Sequence, residues 1–208
     1  MKHSFPLSKR KMVIWGASGH ALVVADIIRL RGDYEIAGFL DNVNPELKGS
    51  LFAGATILGG NEQLEVLIAN DVRHIIIGFG NCLARIQLAE TVVKMGFSLI
   101  QAIHPSAVIA SNATIGTGTV ISAGAVIGPK VSIGSNVIIN TSASIDHECI
   151  IADGAHIGPG VHLGGKVQVG RAAWVAIGST VIQGIKIGDF NIIEAGSVVV
   201  QDIPFPGK

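Results

Sequence analysis

A histidine between two carboxylates, Asp146-His147-Glu148, is the segment of this sequence best suited to proton transfer. A neighbouring carboxylate can hold an imidazole in one tautomer and keep it basic near neutral pH, as a general base requires. The segment 140–149 around it carries the most polar side chains of its region. An ordinary solvated histidine is the alternative interpretation.

Two glycine-containing turns have the composition of an anion site. Residues 16–20 (Gly-Ala-Ser-Gly-His) follow an apolar strand predicted over 12–15, and residues 78–81 (Gly-Phe-Gly-Asn) follow one predicted over 74–77. Each turn opens a predicted helix, whose first N–H groups can bind phosphate at the carboxyl edge of a parallel sheet. The pattern is not G-x-G-x-x-G, so NAD is poorly supported. Alternatively, both turns serve only strand-to-helix geometry.

The remaining elements of the first hundred residues alternate between strand and helix. A second strand is predicted over 36–40 and ends at Asp41, whose carboxylate could accept hydrogen bonds from a base or ribose. Helices are predicted around 64–69 and over 83–95. This alternation predicts a small parallel sheet of the Rossmann-like type.

The second half of the chain follows a strict period of six. Every sixth residue from Ile103 to Val199 is Ile, Leu or Val. Such recurrence is typical of hexapeptide-repeat solenoids, in which short strands meet at tight corners. The sequence therefore predicts a parallel β-helix with three repeats per coil, so that residues 18 apart stack on one another.

The phase of a residue within this repeat predicts which way its side chain points. Position one and position five face inward, whereas His147 falls at position three, His104 at position two, and both His156 and His162 at position six. None of these histidines is expected in the core. Cys149 falls at an inward position, which argues against a nucleophilic role.

Gly165 lies 18 residues after His147 and is expected to stack directly above it. A backbone N–H at that point could stabilise the oxyanion that develops during acyl transfer. The alternative interpretation is a routine corner glycine.

Composition excludes several classes of protein. The 208 residues carry 15 Lys and Arg against 15 Asp and Glu, with no basic stripe for nucleic acid and no apolar run that could span a membrane. The apolar residues that follow the basic N-terminus stop at Gly16, so we expect a cytoplasmic protein rather than a secreted one. The sequence pattern changes near residue 101, where the six-residue repeat begins, and this change predicts two domains, 1–100 and 101–208. The two cysteines provide neither a disulfide framework nor metal spacing.

A zinc hydratase built on a β-helix is an alternative that depends on histidine spacing. The close histidine pair of such enzymes is typically five apart, whereas His156 and His162 are six apart and are expected on different faces of the coil. We therefore predict no metal.

Taken together, these motifs resemble the hexapeptide-repeat sugar acyltransferases typified by sialic acid O-acetyltransferase and the bacillosamine and perosamine N-acetyltransferases. The resemblance covers nearly the whole chain and is carried by Gly16-Ala17-Ser18-Gly19-His20, Leu40-Asp41-Asn42, Ile77-Gly78-Phe79-Gly80-Asn81 with Arg85, His104-Pro105, Asn140-Thr141-Ser142 with Asp146-His147-Glu148-Cys149, and Ala155-His156-Ile157-Gly158-Pro159-Gly160.

The resemblance implies a Rossmann-like nucleotide-binding domain followed by a left-handed β-helix. It implies a homotrimer with active sites between subunits, acetyl-CoA between adjacent coils and a nucleotide-linked sugar on the first domain. By position, His147 matches the catalytic base and Glu148 its orienting carboxylate. The residues that match the coenzyme site are His156 and Gly165 at the thioester, with Ile177 and Ala195 along the arm. Those that match the nucleotide-sugar site are Gly16, Ser18, Gly19, His20, Asp41 and Asn42, with Gly80, Asn81 and Arg85 as further candidates.

The implied reaction is acetyl transfer to an amino sugar, commonly a 4-amino-4,6-dideoxyhexose, for surface-glycan synthesis. O-acetylation of sialic acid is a close rival, and a non-catalytic β-helical assembly domain is a third class. The sequence departs from the family pattern in two places: Ala195 stands where relatives have Gly, and the chain ends at residues 206–208 without the usual tail. Both departures concern the coenzyme site.

Overall fold

The computed structural model describes residues 9–205, so the expected cytoplasmic N-terminus and the chain end at 206–208 lie outside the described residues. The N-terminal half is a sheet in the order β3-β4-β2-β1-β5-β6. Its strands are β1 (Arg10–Trp15), β2 (Tyr34–Leu40), β3 (Leu51–Phe52), β4 (Ala55–Gly59), β5 (His74–Ile77) and β6 (Ser98–Leu99). Its α-helices are α1 (Gly19–Arg31), α2 (Leu64–Ala69) and α3 (Cys82–Lys94), with short 3₁₀ turns at Pro45–Leu47 and Asn61–Gln63.

The central strand β1 explains this arrangement. Met12 and Ile14 pack into one apolar cluster with α1, while Val13 and Trp15 pack into a second cluster on the opposite face. A strand that is apolar on both faces is typical of a parallel sheet covered by helices on each side. β1 pairs in parallel with both β2 and β5, as the alternating pattern predicts.

Three strands of this sheet were not predicted. β4 extends the parallel sheet beside β2, β3 pairs with β4 in antiparallel fashion, and β6 follows β5 at the other edge. The two-residue strands β3 and β6 are too short to show an alternating pattern, and β4 lies at a partly covered end of the sheet.

The C-terminal half is the predicted β-helix, made of two-residue strands on three parallel faces. Face 1 contains β7 (Ala102–Ile103), β10 (Val120–Ile121), β13 (Ile138–Ile139), β16 (His156–Ile157), β19 (Trp174–Val175) and β22 (Ile192–Ile193). Face 2 contains β8 (Val108–Ile109), β11 (Val126–Ile127), β14 (Ser144–Ile145), β17 (His162–Leu163), β20 (Thr180–Val181) and β23 (Val198–Val199). Face 3 contains β9 (Thr114–Ile115), β12 (Ser132–Ile133), β15 (Ile150–Ile151), β18 (Gln168–Val169) and β21 (Lys186–Ile187).

The register confirms the arithmetic of the repeat. Ile121 pairs with Ile139 and Ile139 pairs with Ile157, each 18 residues further along the chain. The inward positions form one continuous core, in which Ala143, Cys149 and the other position-five residues of the middle coils are completely buried.

The N-terminal half packs on the first coils of face 1. Ala102, Val120 and Ile138 belong to the same apolar cluster as the buried side of α1. In the upper coils of the same face, which are those nearer the C-terminus, Trp174 and Ile192 remain 42% and 64% exposed. The carboxyl edge of the sheet therefore lies next to the uncovered upper coils of face 1. Within residues 9–205, the structure contains no helix with the length and apolar character of a membrane span.

Candidate active site

His147 and Glu148 lie at the edge between faces 2 and 3. The His147 Nδ1 and a Glu148 carboxylate oxygen are 3.1 Å apart. Glu148 has a left-handed backbone with φ of 59°, as do Lys130 and Lys166 in the same corner of the adjacent coils. The hydrogen bond with His147, followed by the charge of Lys166, lowers the pKa of Glu148 below its usual value. A carboxylate that accepts from Nδ1–H leaves the lone pair on Nε2, and the ring is 51% exposed and open to a substrate.

Gly165 lies directly against this imidazole, as the repeat predicts. A Cβ at position 165 would be 2.6 Å from both Cε1 and Nε2 of His147. The neighbouring corner bonds are regular, with Lys166 N donating to His147 O at 2.9 Å. Within residues 9–205 the Gly165 N–H has no backbone acceptor. The arrangement therefore places a proton acceptor beside an uncommitted backbone donor.

His156 lies on a different part of the coil, on face 1. Its ring stacks on Trp174 at 5.8 Å between centroids and 16° between planes. Asn140 Nδ2 approaches His156 Nε2 at 3.5 Å, and the His20 ring is 6.5 Å away. Burial, with a further contribution from Arg85, lowers the pKa of His156 to about 4; burial also lowers the pKa of His20 to about 4. Both rings are therefore neutral at pH 7.

Arg85, predicted as a substrate contact, is instead committed to backbone carbonyls. Its side chain is 1% exposed. The guanidinium donates to backbone oxygens of both halves of the chain: Phe79, Gly80, Asn136, Gly154 and Ala155. A guanidinium has five N–H groups, so none is left for a ligand. This geometry supports a structural role that holds the turn 78–81 against the coil beside His156.

The two glycine turns lie side by side at the carboxyl edge of the sheet. Gly16 has φ of 119°, and a Cβ there would be 3.0 Å from Gly78 O, so both conformation and close approach favour glycine. Gly19 has open space around it, and Ser18 begins α1 without a side-chain hydrogen bond to the helix. The first N–H groups of α1 are therefore not capped by the Ser18 side chain, and the predicted anion site at this helix start remains a prediction.

Three other predicted nucleotide-side residues, Asp41, Asn42 and Asn81, accept hydrogen bonds from backbone N–H groups of the protein. Asp41 accepts from Val43 N at 2.7 Å and from Asn44 N at 3.1 Å. Asn42 Oδ1 accepts from Asn61 N at 2.9 Å. Asn81 Oδ1 caps α3 by accepting from Ala84 N at 3.0 Å. These oxygens shape the edge of the site, a role that the sequence interpretation did not include.

Ile177 and Ala195 stack on each other at the edge between faces 1 and 2. Gly196 N donates to Ile177 O at 2.9 Å, and the Ile177 side chain is 58% exposed. Within one chain the predicted site residues therefore form separate groups. His147, Glu148 and Gly165 meet at one edge, whereas His156, His20 and Gly80 meet on face 1.

A cavity of about 530 Å³ lies between the start of α3 and the upper coils of face 1. It is lined by Gly80, Asn81, Cys82, Leu83, His156, Ala172, Trp174, Phe190 and Ile192. The sequence interpretation did not include Trp174, Phe190 or Ile192. The available signal was the position of Trp174, 18 residues after His156 and at the same outward phase.

The zinc alternative depends on a pair of histidines that the fold keeps apart. His156 lies on face 1 and His162 on face 2, as their spacing predicts. In the part of the chain that the structure describes, no three His, Cys, Asp or Glu side chains are grouped so as to hold a metal ion.

An α/β sheet with an anion-accessible edge, joined to a hexapeptide β-helix with a histidine–carboxylate pair at a corner, defines a two-domain hexapeptide-repeat acyltransferase. Comparison with known proteins identifies the family within this class. Residues 11–92 match the family model of the PglD N-terminal domain. No curated protein matches the chain.

Solved structures match over nearly the whole chain. PerB from Caulobacter crescentus, in complex with CoA and GDP-perosamine, is 36% identical, covers 93% of this chain and 90% of its own, and has a TM-score of 0.89. The acetyltransferase domain of PglB from Neisseria gonorrhoeae FA1090, in complex with acetyl coenzyme A, is 35% identical, with coverages of 95% and 94% and a TM-score of 0.73. The chain belongs to the PglD-like family of hexapeptide-repeat sugar acetyltransferases, and its coil is a left-handed β-helix.

Proposed function

We propose that this protein transfers the acetyl group of acetyl-CoA to the amine of a nucleotide-linked sugar, a 4-amino-4,6-dideoxyhexose used in surface-glycan synthesis. The observation that carries the proposal is the His147–Glu148 pair against Gly165, since it combines a base with an uncommitted N–H donor. Relatives at 35–36% identity are described as complexes with CoA and GDP-perosamine or with acetyl coenzyme A, which supports both substrates.

The nucleotide sugar binds along the carboxyl edge of the sheet. Its diphosphate lies at the start of α1, near Gly16, Ser18, Gly19 and His20, where the helix presents its first N–H groups. The loop held by Asp41 and Asn42 borders the nucleoside end. Gly80 and Asn81 border the sugar end, next to His156.

The reaction is direct transfer. The sugar amine attacks the thioester carbonyl while His147 Nε2 accepts the amine proton. The Gly165 N–H stabilises the oxyanion of the tetrahedral intermediate. Collapse of this intermediate breaks the C–S bond, forms the amide and releases the coenzyme thiolate, which takes the proton from His147. Glu148 holds the imidazole in the required tautomer and stabilises its protonated form, so no acyl-enzyme is needed.

The complete site lies between subunits of a homotrimer. His147 and Gly165 lie on the edge between faces 2 and 3, whereas His156 lies on face 1, so one chain does not bring them together. Acetyl-CoA lies between adjacent coils, with Ile177 and Ala195 along its arm. Light scattering should give a trimer. At a nucleotide-sugar concentration well below KM, mixed trimers of His147→Ala and Trp174→Ala subunits should be more active than either parent, because some sites then combine an intact His147 with an intact Trp174. A monomer, or mixed trimers no more active than Trp174→Ala alone, would contradict this arrangement.

Steady-state acetyl transfer tests the activity. Wild type is assayed with acetyl-CoA and a panel of UDP-, GDP- and dTDP-linked 4-amino sugars together with free sialic acid. At least one amino sugar should be acetylated. His147→Ala should lower kcat by about 10²- to 10⁴-fold, and His104→Ala, at a partly buried corner between faces 1 and 2, should not. No transfer to any acceptor, transfer to sialic acid alone, or full activity of His147→Ala would overturn the proposal. A metal analysis of the active protein tests the expectation that none is required.

A further inference from the structure

We propose that the 530 Å³ cavity on face 1 holds the acceptor sugar, with Trp174 as the platform for its ring and Ile192 and Phe190 as the wall that selects it. The inference rests on the proposed function and assigns residues to its acceptor end. Neither the family motifs nor the predicted site residues include these three side chains.

The cavity wall is built from two columns of residues that lie 18 apart in the chain and stack on successive coils. The columns are His156-Trp174-Ile192 and Ala172-Phe190. His156, Trp174 and Ile192 occupy successive coils at the same outward phase and pair directly with one another. Phe190 lies at the corner that leads into β22, with a left-handed backbone, and its ring lines the cavity and packs edge-on against Phe205. Because each position is set by the repeat, the wall is rigid before a ligand binds.

The chemistry of the lining favours a weakly polar ligand. None of the residues around the cavity is charged, so the diphosphate does not belong there. The polar groups are the Asn81 amide, the His156 ring, the Trp174 indole N–H, the Cys82 thiol and backbone atoms near Gly80. An apolar pocket with a few placed polar groups is typical of small-molecule sites, and an aromatic face suits the C–H face of a pyranose.

The position of the cavity favours the sugar over the coenzyme arm. It begins at Gly80 and Asn81, in the second glycine turn at the sheet edge, and it extends to His156, which the resemblance places at the thioester where the acceptor must meet the acetyl group. The positions predicted for the coenzyme arm, Ile177 and Ala195, lie at the opposite border of face 1 and do not line it. The occupant is therefore the part of the substrate that follows the diphosphate.

The apolar wall of the cavity also predicts which substituent the sugar ring of the acceptor carries. Ile192 and Phe190 offer no hydrogen-bond partner, so a methyl substituent packs against them, whereas a hydroxymethyl group loses its hydrogen bond to water. An added hydroxyl is rejected by a pocket of this kind by at most about 100-fold. The 6-deoxy acceptor should therefore have a kcat/KM about 10- to 100-fold higher than its 6-hydroxy counterpart.

Two Trp174 variants test the platform, with the acceptor that wild type uses best in the panel. Trp174→Ala should raise the KM for the nucleotide sugar about ten-fold and leave the KM for acetyl-CoA within about two-fold. Trp174→Phe should restore most of the affinity because it keeps an aromatic face. Gln168→Ala, at the same outward phase on face 3, is the control and should match wild type.

The outcomes separate this inference from the proposed function. If wild type acetylates no amino sugar, the proposed function fails. If wild type is active and Trp174→Ala raises the KM for acetyl-CoA instead, or leaves both KM values unchanged, the sugar assignment fails. Ile192→Thr adds a hydroxyl to the wall and should reduce the preference for the 6-deoxy acceptor at least three-fold; an unchanged ratio of kcat/KM values would overturn the role of the wall. A ratio is insensitive to the amount of folded enzyme.

Discussion

The imidazole of His147 packs directly on Gly165, one coil further along the β-helix. A Cβ at position 165 would lie 2.6 Å from both Cε1 and Nε2 of the ring. The absence of a side chain is therefore a requirement for the position of the base.

Gly165→Ala tests this relationship. The methyl group displaces the imidazole, and a displacement of about 1 Å can cost about 100-fold in rate. We expect kcat to fall by about that factor, while thermal unfolding changes by only a few degrees because the ring can move aside. Gly184→Ala, with open space around the added methyl but a backbone φ of 78°, is the control; it should lose some stability through backbone strain and retain its kcat. Equal kcat values for the two variants would show that close packing on His147 is unimportant.

Glu148→Gln removes the carboxylate charge but keeps the side-chain shape. Because both Glu148 and His147 are about half exposed, solvent screens their interaction. We expect kcat to fall about ten-fold, less than the loss that follows removal of His147, because the imidazole loses the carboxylate that orients it. Glu46→Gln, at an exposed position in the N-terminal half, should retain the wild-type kcat. A kcat of Glu148→Gln equal to that of wild type would argue against an orienting carboxylate.

Arg85→Lys tests the junction between the sheet and the coil. An ammonium has three donors, so at least two of the five carbonyls that Arg85 satisfies lose their partner. We expect the free energy of unfolding to fall by about 3 kcal/mol in urea titrations. Arg73→Lys, whose exposed partner is Asp71, should change it by less than about 0.5 kcal/mol. A small effect for Arg85→Lys would mean that water replaces the lost donor.

The lowered pKa values of His20 and His156 predict how the free energy of unfolding depends on pH. Their folded-state pKa of about 4 lies below the ordinary value of 6.5, so the unfolded chain binds protons first as the pH falls. Stability is therefore full above pH 6.5 and decreases toward pH 4, by about 3 kcal/mol for one ring. Carboxylates with lowered pKa values, such as Glu62, lose their contribution only below about pH 4.5, so measurements from pH 5 to 7.5 isolate the histidines.

Urea titrations across that range check the prediction. His156→Gln should flatten the pH dependence because its side chain does not titrate, and His104→Gln should leave it as in wild type. A dependence that is equally steep after His156→Gln would assign it to other groups.

Cys149 provides a test for direct transfer. Its thiol lies inside the coil, donates to Gly164 O at 3.2 Å, and has its pKa raised by burial. A buried, protonated thiol is a poor nucleophile. Cys149→Ala should retain kcat within about two-fold, since alanine occupies equivalent inward positions such as Ala143 and Ala155. Mass spectrometry of wild type mixed with acetyl-CoA should find no acetylated Cys149; a stoichiometric adduct would contradict the mechanism.

Much of this architecture follows from local pattern. The period of six predicted every coil strand, the outward phase of His147 and His156, the burial of Cys149 and the stacking of Gly165. These predictions succeed because each repeat forms the same turn and the same two-residue strand, so position along the chain translates directly into position in space. Alternation of apolar strands and helices likewise predicted β1, β2, β5, α1, α2 and α3.

Local sequence pattern did not predict the features that depend on how the N-terminal and C-terminal halves pack together. Arg85 looked like a ligand contact until its five donors proved to bind carbonyls from both halves. The cavity beside Trp174 exists only because the sheet covers the lower coils of face 1 and leaves the upper ones open. The repeat determines where each side chain points, but the angle and height at which the sheet packs on the coil depend on contacts between distant residues, and no local periodicity encodes them.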